Sequence, residues 1–251
     1  MLTRLSDYVA SIGILPESQC GFRTGRSTID MIFSQRQLQE KCIEQHKDLY
    51  LIFIDLTKAF DTVNIAALQP RGLWAILSKI GCPVKFVNII RSFPDGMLAH
   101  VIDGGDISAV FSVTSGTKQG CVLAPLLFSI FFSLLPDVAF KTCNTGIPLV
   151  YRTDRNLFDL RKLQVKNLVH HTTVRELMFA DDCALAAHTI QEAQHLLDCF
   201  MAVTRRFGLS VSIKKSEVMF QSQASSCYLP PVVNVASYCK VIVKVVDYRQ
   251  R

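Results

Sequence analysis

Apolar residues along the chain recur in two rhythms, helical and strand-like, broken by short polar turns. Residues 26 to 46 (RSTIDMIFSQRQLQEKCIEQH) read as a helix, with Ser27 as N-cap and Asp30 three residues on. Leu49 to Ile54 (LYLIFI) is a short apolar run of β-formers and reads as a buried strand. Residues 72 to 93 read as helical with a break at Gly81-Cys82-Pro83, and 97 to 115 alternate around Gly104-Gly105, a hairpin signature. Pro125 opens an oily helix within CVLAPLLFSIFFSLLP (121 to 136). ELMFADDCALAAH (176 to 188) reads as strand, tight turn, strand. Thr189 and Glu192 form a capping box for a helix burying Ile190, Ala193, Leu196, Leu197, Phe200, Val203 and Phe207, which Gly208 ends. Leu209 to Met219 reads as a further strand carrying Lys214 and Lys215, and only weak β character follows Gln221.

The uncharged run 121 to 136 is shorter than the roughly 20 apolar residues of a membrane span and contains Pro125, so a buried core helix is the expectation. The N-terminus has no signal peptide's oily core, because Arg4, Ser6, Asp7 and Ser11 interrupt it. With 251 residues, 49% hydrophobic and 19% charged, the chain suffices for one large domain or two small ones. The net charge of +6 fits a nucleic-acid partner and equally an ordinary solvated surface. The basic stretch 141 to 175, with Lys141, Arg152, Arg155, Arg161, Lys162, Lys166 and Arg175, is a loop or small insertion that either binds nucleic acid or is simply solvated. Nine cysteines, none in a C-x-x-C pair, read as reduced thiols of an intracellular protein. The histidines complete no familiar zinc spacing.

Asp181 and Asp182 are the exception to the apolar pattern. Two adjacent carboxylates in an apolar turn cannot both ionise cheaply, and a bound cation resolves the conflict. Mg²⁺ takes hard oxygen ligands, usually one or two carboxylates plus substrate phosphates. Asp55, which ends the run Leu51 to Ile54, supplies a third carboxylate at a strand end. Convergent carboxylates of this kind suit a two-metal phosphoryl-transfer site, with ions about 3.5–4 Å apart. Taken singly, the same residues read as a hairpin turn and a helix cap.

Together, in order, the segments resemble the reverse transcriptase palm. IDLTKAFDTV resembles its first catalytic motif, SGTKQGCVLAPLLF its second, FADDCAL its third and FGLSVSIKKSEVM its fourth. LPESQCGFRTGRSTIDMIF resembles the stretch before the first motif in non-LTR (LINE-type) retrotransposon polymerases. The resemblance runs from about Leu2 to Gln221. It implies an α+β fold: a palm-like antiparallel sheet backed by helices, with fingers incomplete and thumb absent. It implies a reverse transcriptase domain over 1–221 and a degenerate tail over 222–251 that approaches a primer-grip hairpin.

The resemblance also assigns roles. Asp55, Asp181 and Asp182 would hold two Mg²⁺ ions, with Mn²⁺ as a substitute, and Leu56 would offer a backbone carbonyl. Phe60 would lie under the deoxyribose as the gate against a 2′-hydroxyl. Gln119 and Gly120 would line the nucleotide pocket and template side. Lys215 would stand near the leaving pyrophosphate, with Lys214 as the competing choice. Arg23 and Arg26 would contact template or phosphate, or form a basic surface turn. The implied partners are an RNA template, a DNA primer and deoxynucleoside triphosphates; no membrane and no protein partner are expected. The setting is intracellular, with nucleus and cytoplasm both open.

Three departures bear on activity. The upstream fingers are missing from the opening MLTRLSDYVA, IAALQP separates Asn64 from Arg71 like a small insertion, and the chain ends at VVDYRQR without the primer-grip turn and thumb. The expectation is an RNA-directed DNA polymerase domain of weak activity in isolation; the alternative is an inactive remnant that only binds nucleic acid.

Overall fold

The computed structural model describes residues 2–62, 73–92, 96–113, 121–152, 169–222, 233–235, 238–241 and 243–245. The IAALQP segment and four of the basic residues of 141–175, Arg155, Arg161, Lys162 and Lys166, lie outside that set. The helices are α1 (Leu2–Ile12), α2 (Thr28–Glu44), α3 (Ala59–Thr62), α4 (Leu73–Lys79), α5 (Val84–Ser92), α6 (Ala124–Phe132), α7 (Leu134–Ala139) and α8 (Ile190–Arg206). The first strands are β1 (Leu49–Ile54), β2 (Leu98–Ala99), β3 (Ile102–Asp103), β4 (Asp106–Ile107), β5 (Phe111–Ser112), β6 (Ile147–Arg152) and β7 (Val169–Val174). Then come β8 (Glu176–Phe179), β9 (Asp182–Ala187), β10 (Glu217–Gln221), β11 (Val233–Val235), β12 (Tyr238–Val241) and β13 (Val243–Val245).

The central sheet has five strands in the order β13-β10-β1-β9-β8. Pairs β1–β10, β1–β9 and β8–β9 are antiparallel, as expected, while β13 from the tail adds a parallel edge beside β10. LYLIFI lacks polar alternation because β1 is central and covered on both faces. Tyr50, Ile52 and Ile54 join Leu185, Val218 and Phe220 in the core shared with α6, α7 and α8. Leu49 and Leu51 point the other way, packing with Ala186, Met219 and the α2 residues Leu38 and Cys42. Each fully buried aliphatic side chain contributes about 1.5–3 kcal/mol, so both layers hold the strand that carries Asp55. Buried Gln39 of α2 adds a polar tie: Gln221 Nε2 donates to its carbonyl at 3.0 Å.

Both expected capping boxes form. Ser27 and Asp30 cap α2, and Thr189 and Glu192 cap α8. Gly81 (φ +85°) ends α4, where Cys82 N–H reaches back to Leu77 O at 2.9 Å and Gly81 N–H to Ser78 O at 3.1 Å. Gly104 and Gly105 turn the β3–β4 hairpin with φ of +58° and +101°, the signs a two-residue hairpin turn demands.

Three expectations are corrected. The oily helix is two helices, α6 and α7, broken at Ser133. Pro136 has no N–H for Phe132 O, and its ring would clash there; in the first turn of a new helix it needs none. The stretch 141 to 175 is not all loop: Ile147–Arg152 and Val169–Val174 pair antiparallel. The strand expected over Leu209 to Met219 begins only at Glu217. Ser212 O accepts from the N–H of both Lys215 and Ser216 and from the Ser216 hydroxyl, which curls 213 to 215 into a turn. No helix among the described residues is long and apolar enough to cross a membrane. Of the cysteines whose side chains are described, all are free and Cys20, Cys42, Cys82, Cys143 and Cys183 are buried.

Candidate active site

Asp55 follows directly on β1 and is pinned through its backbone. Its carbonyl accepts from Ser212 N–H at 2.8 Å, and its N–H donates to Ser216 Oγ at 3.3 Å. Thr57 N–H donates to Ser210 O at 2.8 Å, so Leu56 sits opposite Val211 between two ladder bonds. Antiparallel alternation then turns Leu56's own carbonyl away from Val211, toward the β9 side. Asp55 Oδ1 is buried and has no hydrogen-bond partner; Lys215 Nζ stands 3.6 Å from it.

Asp181 and Asp182 come from the β8–β9 hairpin. Phe179 pairs with Asp182, leaving Ala180 and Asp181 as the two-residue turn, so Asp182 opens a strand. Ala180 has φ +58°, a left-handed conformation that costs a residue with a Cβ about 1–2 kcal/mol. The segment before Arg23 holds it there. Met178 N–H donates to Ser18 O at 2.7 Å and Cys20 N–H to Met178 O at 2.9 Å. The buried Gln19 amide accepts from Ala180 N–H at 3.0 Å and donates to Ala180 O at 3.1 Å. A Cβ on Gly21 would lie 2.0 Å from Ala180 N, so no side chain fits at 21.

The first strand-end carboxylate and the hairpin carboxylates act on one another. Loss of hydration raises Asp181, its own backbone hydrogen bond opposes this, and the Asp55 charge raises it further. Loss of hydration also raises Asp182 although it opens to solvent, and Asp181 and Asp55 both add to the rise. Lys215 pulls both down. A cleft of about 330 Å³ contains Asp55, Asp182 and Lys215, walled by Met31, Ile32 and Gln35 of α2 and by Phe53, Phe179 and Cys183. A larger cavity, about 530 Å³, lies between α2 and β7–β8 beside Phe33, Leu38 and Glu176; it holds none of the three carboxylates.

The residues fit a hard cation in two respects: the orphaned Asp55 Oδ1, and carboxylates whose mutual repulsion a bound positive charge relieves. They are not a closed ligand set, for no group of three His, Cys, Asp or Glu side chains among the described residues is close enough to form one.

The other candidates fall as follows. Lys215, not Lys214, pairs with Asp55. Phe60, in α3 after Asp55, packs on Phe128 with ring centroids 4.3 Å apart and meets exposed Phe22 edge-on at 6.3 Å. Arg23 donates to Pro16 O and Gln19 O and pairs with Glu17, which also takes Arg26. These two arginines brace the loop that carries Gln19. Gln119 and Gly120 lie outside the described residues. Gln19 and Gly21 were not singled out by sequence reasoning; an amide 161 residues from its partner leaves no local signal.

The chain is 29% identical over 133 residues to "Probable RNA-directed DNA polymerase from transposon BS" of Drosophila melanogaster, a stretch that is 53% of this chain and 14% of that relative. It is 30% identical over 123 residues to "RNA-directed DNA polymerase from mobile element jockey" of Drosophila funebris, which is 49% of this chain and 13% of that relative. The matched region is thus a small part of either relative. The fold is similar to that of apo telomerase from Candida tropicalis truncated from its C-terminal domain, with a TM-score of 0.60 at 15% identity, over 90% of this chain and 42% of that one. Residues 1–233 match the family described as "Reverse transcriptase (RNA-dependent DNA polymerase)". The chain therefore belongs to the reverse transcriptase family, as a domain of the non-LTR (LINE-type) retrotransposon kind.

Proposed function

We propose that this chain is the palm of an RNA-directed DNA polymerase that extends a DNA primer on an RNA template with deoxynucleoside triphosphates. The observation that supports the reading is that Asp55 ends the central strand beside the strand opened by the Asp181–Asp182 hairpin and shares a cleft with Asp182 and Lys215, its Oδ1 buried without a hydrogen-bond partner. Asp55, Asp181 and Asp182 would hold two Mg²⁺ ions, or Mn²⁺ in their place, with the Leu56 carbonyl directed to the same side. Bound there, such ions supply charge for the attacking 3′-oxygen and the leaving phosphates.

The chain's own residues have separate tasks. Lys215 balances the carboxylates and would meet a departing pyrophosphate. Phe60 offers a flat ring for the sugar five residues after Asp55, and Gln119 and Gly120, outside the described residues, would line the nucleotide pocket. Arg23 and Arg26 stiffen the neighbouring loop, with template contact as their further role. Buried free thiols support an intracellular setting.

A second reading, a palm that binds nucleic acid without catalysis, draws on the carboxylates not forming a ready ligand cluster. Single-nucleotide addition to a DNA primer annealed to RNA separates the two. Mg²⁺-dependent addition, abolished by Asp181→Asn, supports the polymerase. Salt-sensitive binding of the same duplex with no addition supports the remnant.

A further inference from the structure

We infer that Gln19 is a positioning residue for the metal-binding turn: its side-chain amide sets the backbone of Ala180 and so aims Asp181 and Asp182. This rests on the metal-site reading above and adds a residue to it.

Ala180 must adopt a left-handed conformation for β8 to fold back into β9 in two residues, and alanine has no preference for it. Both polar groups of its backbone are met by one side chain. Gln19 Oε1 accepts from Ala180 N–H at 3.0 Å, and Gln19 Nε2 donates to Ala180 O at 3.1 Å. This two-point grip fixes the rotation of the peptide groups on either side of Ala180, and the second leads directly into Asp181.

Gln19 is itself anchored on all sides. Its residue has no exposed surface, its backbone bridges to Met178, and its oxygen also accepts from Gly21 N–H at 2.7 Å. Gly21 is anchored in turn, because buried Ser129 of α6 donates to its carbonyl at 3.2 Å. The turn is therefore referenced to the helical core through Gln19, not merely to its own two strands. A buried amide with two of its three side-chain hydrogen bonds directed at one strained turn residue is a poor way to gain stability alone, since a glycine at 180 would need no clamp. It is an effective way to hold two repelling carboxylates in one geometry.

The test uses the whole chain. Hydrogen exchange reads the Ala180 amide directly, and Mn²⁺ titration followed by electron paramagnetic resonance reads the carboxylates. In the parent chain the Ala180 amide should exchange as slowly as the core of β1, although it sits on a turn. Gln19→Ala should free that amide and weaken Mn²⁺ binding by about tenfold or more, with far-ultraviolet circular dichroism unchanged. Gln19→Glu keeps the shape and the accepting oxygen and should fall between the two. Fast exchange of the Ala180 amide in the parent overturns the inference whether or not any variant folds. So does Mn²⁺ affinity that stays within about twofold of the parent in a Gln19 variant whose turn has loosened. A parent chain that takes up no Mn²⁺ contradicts the metal-site reading instead, and exchange still judges the clamp.

Discussion

Lys215 Nζ stands 3.6 Å from Asp55 Oδ1, too far for a hydrogen bond and near enough for an ion pair. The lysine side chain is 72% exposed, so the pair is screened and contributes about 0–1 kcal/mol to stability. Lys215→Ala should therefore leave the urea midpoint nearly unchanged. It should still reduce nucleotide addition, because Lys215 lowers both Asp181 and Asp182. Lys214→Ala should leave both the midpoint and nucleotide addition unchanged. Equal losses in the two variants would remove Lys215 from the site.

Gly21→Ala should cost about 1–3 kcal/mol, since the new methyl meets the backbone nitrogen of Ala180 and neither chain can yield freely. Urea unfolding measures the loss. A variant as stable as the parent would show that the contact between the two segments is looser than described.

Glu176 gives a pH signature away from the three aspartates. Burial pushes its carboxyl up, opposed by the Ser18 hydroxyl at 3.1 Å and the Arg175 charge. A carboxyl whose folded value lies above its unfolded one favours the folded chain when protonated. That stability is full below the unfolded value and is lost as pH rises through the folded one. Glu176→Gln should thus match the parent near pH 4 and exceed it near pH 8, approximately, in denaturant midpoint. A parallel pH dependence in both would contradict the burial of this group.

Phe60→Val tests sugar selection, in a chimaera that supplies the flanking regions of a related element. Losing the contact with Phe128 should lower stability, by up to about 3 kcal/mol. If Phe60 also lies under the sugar, the ratio of ribo- to deoxynucleotide incorporation should rise while addition persists. An unchanged ratio with both activities reduced together would make Phe60 core and nothing more.

What could be read from the sequence was what depends on neighbours in the chain. Ser27 with Asp30, and Thr189 with Glu192, announce helix starts because their bonds are local. LYLIFI announces a buried strand because both faces are apolar. The missed features depend on distant partners. The Val169–Val174 strand carries His170, His171, Thr172 and Thr173 and shows no apolar alternation, so only its pairing with Ile147–Arg152 makes it a strand. Lys214 and Lys215 lie in a turn because Ser212 and Ser216 bond each other beside Asp55. Within the site, the carboxylates were legible as charges out of place, whereas Gln19 was not, because a buried amide looks like any polar loop residue until its partner is seen.

The most direct test of the site is anomalous scattering from crystals of the chain soaked in Mn²⁺. The expected result is density bonded to carboxylate oxygens of both Asp55 and the Asp181–Asp182 pair, with Lys215 displaced from Asp55 Oδ1. Mn²⁺ bound elsewhere, with Lys215 still paired to Asp55, would contradict it.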